Sequence, residues 1–315
     1  MGFFASLINS MPSAVAQGLI WGIMAIGVYL TYRILDVADL TVDGSLGTGG
    51  AVCVVMVLNG VPVGLALLAA TAAGMLAGLV TGLFHTACGI PAILAGILTQ
   101  LALYSVNLRI MGFGTGGGKA NLPISVDKYN LLVSARYVRN VALNNPILIL
   151  AIFCAVLIAV LYWFFGTELG CSLRATGANQ NMARAQGINT NVTKVLGLMI
   201  SNGLVALAGG LLAQYQGFSD INMGRGAIVI GLAAVIIGEV IFSRIFRNFA
   251  LKLLSAVIGA IIYYIVMVFV LRLGLSTDDL KLLTALVVAL FLTIPYWKGK
   301  YFTKTSVKKG EKNHA

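Results

Sequence analysis

Charged side chains are scarce in this sequence. Lys, Arg, Asp and Glu make up 10% of its 315 residues, against a hydrophobic share of 59% and a mean hydropathy of +0.95. Soluble domains carry about 25% charged residues, and a soluble core of this length could not hide so much apolar surface. The scarcity excludes a soluble globular protein and makes lipid the solvent for most of the chain. Histidine is almost missing. His85 falls at the end of an apolar run and His314 in the tail, so no metal site is expected. Cys53, Cys88, Cys154 and Cys171 stand far apart with no CxxC pair and read as small buried hydrophobes. Met1–Ser10 has no Lys or Arg, so the basic start of a cleavable signal peptide is lacking and the first apolar run is read as retained.

Catalytic signatures are missing as well. There is no HExxH, no nucleophile elbow and no paired Ser/His/Asp constellation, so no enzyme is expected. Gly112, Gly114 and Gly117 match GxGxxG, but no strand precedes them and no βαβ unit surrounds them. Gly118-Lys119 imitates the end of a phosphate loop. Phe113 stands where its first glycine belongs, and Ala120 replaces the Ser or Thr that would hold magnesium. The chain is expected to bind no cofactor, so any ATP and magnesium that drive it belong to a partner subunit.

What is present is a series of apolar runs, each near the roughly 20 residues that a bilayer demands. About nine are expected, over 12–34, 41–59, 62–84, 90–111, 146–166, 192–215, 226–243, 251–273 and 280–297. This predicts an all-α polytopic membrane protein. Residues 1–315 read as a single transmembrane domain, since no shift in composition marks a soluble one. The net charge of +11 would suggest nucleic acid in a soluble protein. Here the cations cluster at run ends and in the basic tail 298–315, so they report topology and contact with anionic lipid. With the N-terminus outside and the C-terminus cytoplasmic, thirteen cations face inward and eight outward. Gly74, Gly78 and Gly82 recur every fourth residue and make a smooth helix face, for packing within the chain or against a second copy.

Two segments are too polar for this background. The first runs from Asp36 to Gly50. Asp39 and Asp43 share a helical face, carboxylates at membrane depth tend to mark pathways, and Gly44, Gly47, Gly49 and Gly50 argue for a broken or re-entrant element near 39–50. Asp39, Leu40, Thr41, Val42, Asp43, Gly44 and Ser45 are the candidate lining of a translocation path. The alternative is a loop holding Asp36 and Asp39, with Asp43 capping the next helix. The second segment lies within Glu168–Lys194 and reads as short helix, break, short helix. Asn179 is the candidate N-cap, and Gly177 and Gly187 are the candidate stops. Ala175, Met182, Ala183 and Ile188 would form an apolar knob, which suits a socket on a partner better than bare solvent.

The second segment resembles the cytoplasmic coupling loop of permeases in the ABC-importer superfamily for branched-chain amino acids and ribose. The pattern ELG-x4-RA-x-G-x-N-x3-A-x3-GI is carried by Glu168, Leu169, Gly170, Arg174, Ala175, Gly177, Asn179, Ala183, Gly187 and Ile188. VTKVLGLMISNGLVALAGGLLA and ADLTVDGS are also similar to the family's segments, and the likeness extends over about 11–295. Two features depart from it. The additional first span of the sugar branch is missing, and Gly238-Glu239-Val240 replaces a Gly-Gly turn, with Glu239 expected to face Arg244.

The resemblance implies a type II ABC importer transmembrane domain, with 167–191 as coupling loop, in the bacterial cytoplasmic membrane. It implies two ABC ATPase subunits, an extracytoplasmic substrate-binding protein, and a second permease as homodimer or paralogue. The coupling set would be the ten motif residues with Met182. The TVDGS version resembles permeases for amino acids, branched-chain or aromatic. Sugar or nucleoside import by the same machinery is the nearer alternative, and an ion-coupled secondary transporter the more distant one.

Overall fold

The computed structural model describes residues 3–113, 117–126, 128–129, 131–138, 145–242, 246 and 248–272, with 282, 285–286, 288–290 and 293 beyond them, and side-chain surroundings from residue 9. Helix α1 spans Phe3–Tyr29 and passes into a π turn over Leu30–Ile34. An irregular stretch leads to α2 (Val42–Leu58), followed by α3 (Val63–Thr86), α4 (Ala92–Met111), α5 (Pro146–Gly166), the short α6 (Glu168–Ala178) and α7 (Gln180–Ala185), α8 (Thr190–Gln216), α9 (Ala227–Phe242) and α10 (Phe249–Arg272). Two three-residue strands, β1 (Asn121–Pro123) and β2 (Phe218–Asp220), pair antiparallel. Proline marks the helix starts. Pro62 and Pro91 precede α3 and α4, and Pro146 opens α5, where a missing N–H costs nothing.

The long apolar helices run close to the expected spans, and among the described residues six are long and apolar enough to cross a bilayer. Their exposed faces carry Leu68, Leu76, Leu101, Ile152 and Trp163, a surface that lipid tolerates and water would not. The fold is the polytopic helical membrane protein that composition predicts. α2 and α9 are shorter, at 17 and 16 residues. At 1.5 Å per residue each is about 25 Å long, short of a hydrocarbon core of about 30 Å.

Helix α8 is the axis of the bundle. Gly74, Gly78 and Gly82 of α3 face Asn202 and Ala206, Leu198, and Val195 of α8, and a Cβ on any of them would press into that helix. The smooth face found in the sequence therefore serves packing within the chain. Contacts fall in reverse order along α3 and in the same order along α2, where Ser45 meets Asn202 and Gly49 meets Ala206. α3 thus runs antiparallel to α8, and α2 parallel to it.

The π turn, α6, α7 and the start of α10 gather at one end of the bundle. Phe165 and Phe249 meet there at 5.0 Å between ring centroids. At the other end β1 and β2 join the segment after α4 to the segment after α8.

Several expectations need correction. The glycines of α2 do not interrupt it. The helix is continuous from Val42, and the break lies before it, because Gly44, Gly47 and Gly49 serve close approach to Leu103, Asn107 and Ala206. Glu239 pairs with Arg33 at 2.9 Å, while Arg244 is outside the described residues. Cys53 and Cys154 are buried as expected, but Cys88 and Cys171 are exposed. The ninth span, 280–297, lies largely outside the described residues, although Val288 packs against Ala233, Ile237 and Tyr263. The tail 298–315 and Gly114 lie outside them entirely.

Replacing Gly78 by Leu is expected to overpack the α3–α8 contact, at a cost of about 1–3 kcal/mol or more. Thermal unfolding of the detergent-solubilised chain should show a clear fall in Tm. Leu76→Ala, on the exposed face of the same helix, should leave it nearly unchanged.

Candidate functional site

Between the π turn and α2 the chain is irregular, and burial alternates along it. Leu35, Val37 and Asp39 point inward, and Asp36 and Ala38 outward. Asp36 has a φ of 54°, a strained value for a non-glycine residue. Leu35 and Val37 donate their backbone N–H groups to the carbonyls of Leu30 and Thr31, so the π turn sets the direction in which the irregular stretch leaves it.

The stretch ends in a buried polar network. Asp39 is 2% exposed. Its Oδ1 accepts from the Thr41 backbone N–H at 2.9 Å, and its Oδ2 from Asn202 Nδ2 at 2.7 Å. Ser45 Oγ donates to Asn202 Oδ1 at 2.6 Å, and the Thr41 and Thr81 hydroxyls lie 2.8 Å apart. Asn202 lies one residue from the middle of Thr190–Gln216, so the network sits near half-depth. One amide thus satisfies a carboxylate and a hydroxyl where an unpartnered carboxylate would be very costly. The network fastens the irregular stretch, α2 and α3 to α8.

Asp43 faces elsewhere. It lies in the first turn of α2, but its carboxylate caps α9, accepting from the Gly226 and Ile228 backbone N–H groups at 2.9 Å each. That explains why α9 is short, since its N-terminus is held at the depth of Asp43. The capping alternative thus holds for Asp43, though the helix it caps is not its own. Beside it is a pocket of about 410 Å³, lined among others by Asp43, Gly44, Gln100, Tyr104, Asn107 and Arg225.

The seven candidate path residues therefore divide. Asp39, Thr41, Val42 and Ser45 are buried inside the chain, and Leu40 is half-buried. Only Asp43 and Gly44 reach the pocket. The α4 residues of this pocket did not emerge from the sequence. Their signal was available: Gln100, Tyr104 and Asn107, at i, i+4 and i+7, form a polar stripe on an apolar helix.

At the α6–α7 end, Thr167 caps α6 by accepting from the Gly170 N–H. Asn179, in extended conformation, caps α7 by accepting from Met182 N–H at 3.0 Å. Gly187 follows α7 with a φ of 83°, as a stop should. Gly177 is no stop. α6 runs past it to Ala178, and Gly177 lies against the Ile34 carbonyl, where a side chain would collide with the π turn. Glu168, Leu169, Arg174, Asn179 and Met182 are exposed, Ala175 and Ile188 half-buried, and Gly170 and Ala183 buried. The expected four-residue knob reduces to Met182, with Leu169 as a further exposed apolar side chain. Arg174 stacks over Phe249 at 5.8 Å.

Residues 10–294 match the family described as the permease component of branched-chain amino acid transport systems. The chain is similar to the tyrosine transport system permease protein of Clostridioides difficile (strain R20291), with 41% identity over 286 residues that cover 90% of each. It is more distantly similar to the ribose import permease protein RbsC of Escherichia coli (strain K12), 28% identical over 231 residues that cover 73% of this chain and 69% of the other. Among solved structures, a chain of PsaBC from Streptococcus pneumoniae in complex with Fab has a TM-score of 0.52 at 16% identity, covering 95% of this chain and 98% of that one, and shares the fold.

Asn202→Ala is expected to remove one partner from Asp39 and the acceptor of Ser45, and to destabilise the chain by about 1–3 kcal/mol. A scan of Tm should detect it. Asn202→Asp should fare worse, because it replaces the donor to Asp39 Oδ2 with a second carboxylate.

Proposed function

The chain belongs to the branched-chain amino acid transport system permease family of ABC importers, and we propose that its cargo is an amino acid, aromatic or branched-chain. It is the membrane-spanning subunit of an ATP-driven importer, working with an ATPase and a substrate-binding protein. The finer reading places two copies of this permease, or one and a paralogue, over two ATPase subunits in the bacterial cytoplasmic membrane, with the N-terminus outside and the C-terminus cytoplasmic. The chain itself does no chemistry and holds no cofactor. ATP and magnesium stay on the ATPase.

The observation that carries the coupling role is the capped pair α6–α7 clamped on the π turn. Gly177 is seated on the Ile34 carbonyl, while Leu169 and Met182 project apolar surface outward. Among the motif residues, Glu168, Leu169, Arg174, Asn179 and Met182 would meet the ATPase. Gly170, Ala175, Gly177, Ala183, Gly187 and Ile188 would set the shape that presents them. Movement of α6 would reach Ile34–Leu35 directly, and through them the stretch ending at Asp39 and Asp43. The amino-acid reading rests on the tyrosine permease being much more similar than the ribose permease. Asp43 and Gly44 would then border the path, and Asp39, Thr41 and Ser45 brace it.

Affinity purification of the intact chain should bring down an ATPase. Met182→Asp should reduce that yield by about tenfold or more, since a charge placed in an apolar socket costs more than about 1.4 kcal/mol. Gly177→Val should reduce it likewise by displacing α6. Purified permease that transports without any ATPase would overturn the reading.

A further inference from the structure

Three unexplained features meet in the pocket beside Asp43. The first is an acceptor without a donor. Asn107 is 2% exposed, and its Nδ2 leans on the Gly44 carbonyl at 3.5 Å, yet its Oδ1 has no hydrogen-bond partner among the described residues. A buried unpaired carbonyl is a standing cost, and it asks for an N–H group. The second is a cation without an anion. Arg225 follows β2 in a turn held by bonds from Asn222 N–H to Asp220 and from Arg225 N–H to the Asn222 carbonyl. It lies next to Gly226, which Asp43 binds near half-depth, but it makes no ion pair among the described residues. Its side chain is exposed and lines the open side of the pocket, where a guanidinium is free to meet an anionic group. The third is Asp43. Its oxygens accept from the Gly226, Ala227 and Ile228 backbone N–H groups, and a carboxylate can accept about four hydrogen bonds, which leaves room for one more.

Acceptors on one side and a guanidinium on the other are the complement of a zwitterion. We propose that this pocket is the subsite that recognises a free α-amino acid in transit. The α-ammonium group donates to Asn107 Oδ1 and to the spare capacity of Asp43, and the α-carboxylate takes the fork of Arg225. Leu101, Ile221 and the Tyr104 ring supply the apolar wall for its side chain. The volume of about 410 Å³ suits a small solute. A neutral sugar would use the acceptors but leave Arg225 unmatched, so the same residues favour amino acids over sugars. The assignment rests on the amino-acid reading of the cargo.

The test uses the whole importer, permease with its ATPase and binding protein, in proteoliposomes, and measures uptake of radiolabelled L-tyrosine, L-leucine and ribose alongside ATP hydrolysis stimulated by loaded binding protein. Losing a hydrogen bond to a charged group costs about tenfold or more. Uptake of the amino acid should therefore fall by at least that factor in Arg225→Gln and in Asn107→Leu. Asn107→Gln, which keeps an uncharged amide, should lose less uptake than Asn107→Leu, and stimulated hydrolysis should fall less than uptake in every variant. Two results would overturn the site alone: wild-type amino-acid uptake that both variants preserve, or uptake and stimulation falling together, which would make Arg225 a contact for the binding protein. Equal loss in Asn107→Leu and Asn107→Gln would reduce Asn107 to a structural residue and overturn its role. A wild-type importer that carries ribose and neither amino acid would overturn the amino-acid reading, and the site with it.

Discussion

The bonds of a single amide, that of Asn202, hold the middle of this protein together. In a bilayer a polar group has no water to fall back on, so every buried donor and acceptor must be met within the chain. Asn202 gives its N–H to Asp39 and takes a hydroxyl from Ser45, halfway along the most central helix. Without that exchange the Asp39 carboxylate would keep Thr41 but lose its partner on α8, and the stretch from Leu35 to Thr41 would be costlier to hold inside the bundle. With it, a non-helical strand of chain can lie at membrane depth, and α2 can begin there rather than at the surface.

A second carboxylate extends the same logic. Asp43 starts α2 and stops α9 from reaching further, because both ends meet at one side chain. Two half-depth helices then converge where α4 offers Gln100, Tyr104 and Asn107. The pocket is a product of this convergence. Irregular backbone at depth is tolerated only where it is enclosed or borders a cavity, and here the two carboxylates divide those duties. Asp39 encloses, and Asp43 borders.

Most of the architecture was legible because lipid imposes a crude and strong demand on composition. Run lengths located α2 to α5 and α8 to α10 within a few residues, α1 starts nine residues before its expected span, and the cap at Asn179 announced α7. The polar segment was found but its inner geometry was not. Whether glycines such as Gly44 and Gly49 break a helix or let another helix approach depends on Leu103 and Ala206, which are remote in sequence. Gly177 was misread as a stop for the same reason, since the Ile34 carbonyl that demands it lies far back along the chain. The partners of Asp43 and Glu239 were equally distant. The α4 stripe could have been read from spacing, but only after knowing that its face met Asp43.

The glycine contacts around α8 also have a mechanical consequence. Where side chains interdigitate, helices can slide by small rotamer changes. Where backbone meets backbone, as Gly74, Gly78 and Gly82 meet α8, a slide drives the next bulky residue into a space with no room for it. The block of α1, α2, α3 and α8 therefore behaves like a solid body under load. α5 is seated differently. Only Pro146, Leu150, Cys154, Leu161 and Phe165 along it are buried, one edge of a helix otherwise open to lipid. Thr167 joins that loose outrigger to α6, so compliance in this molecule lies at its rim and stiffness at its axle.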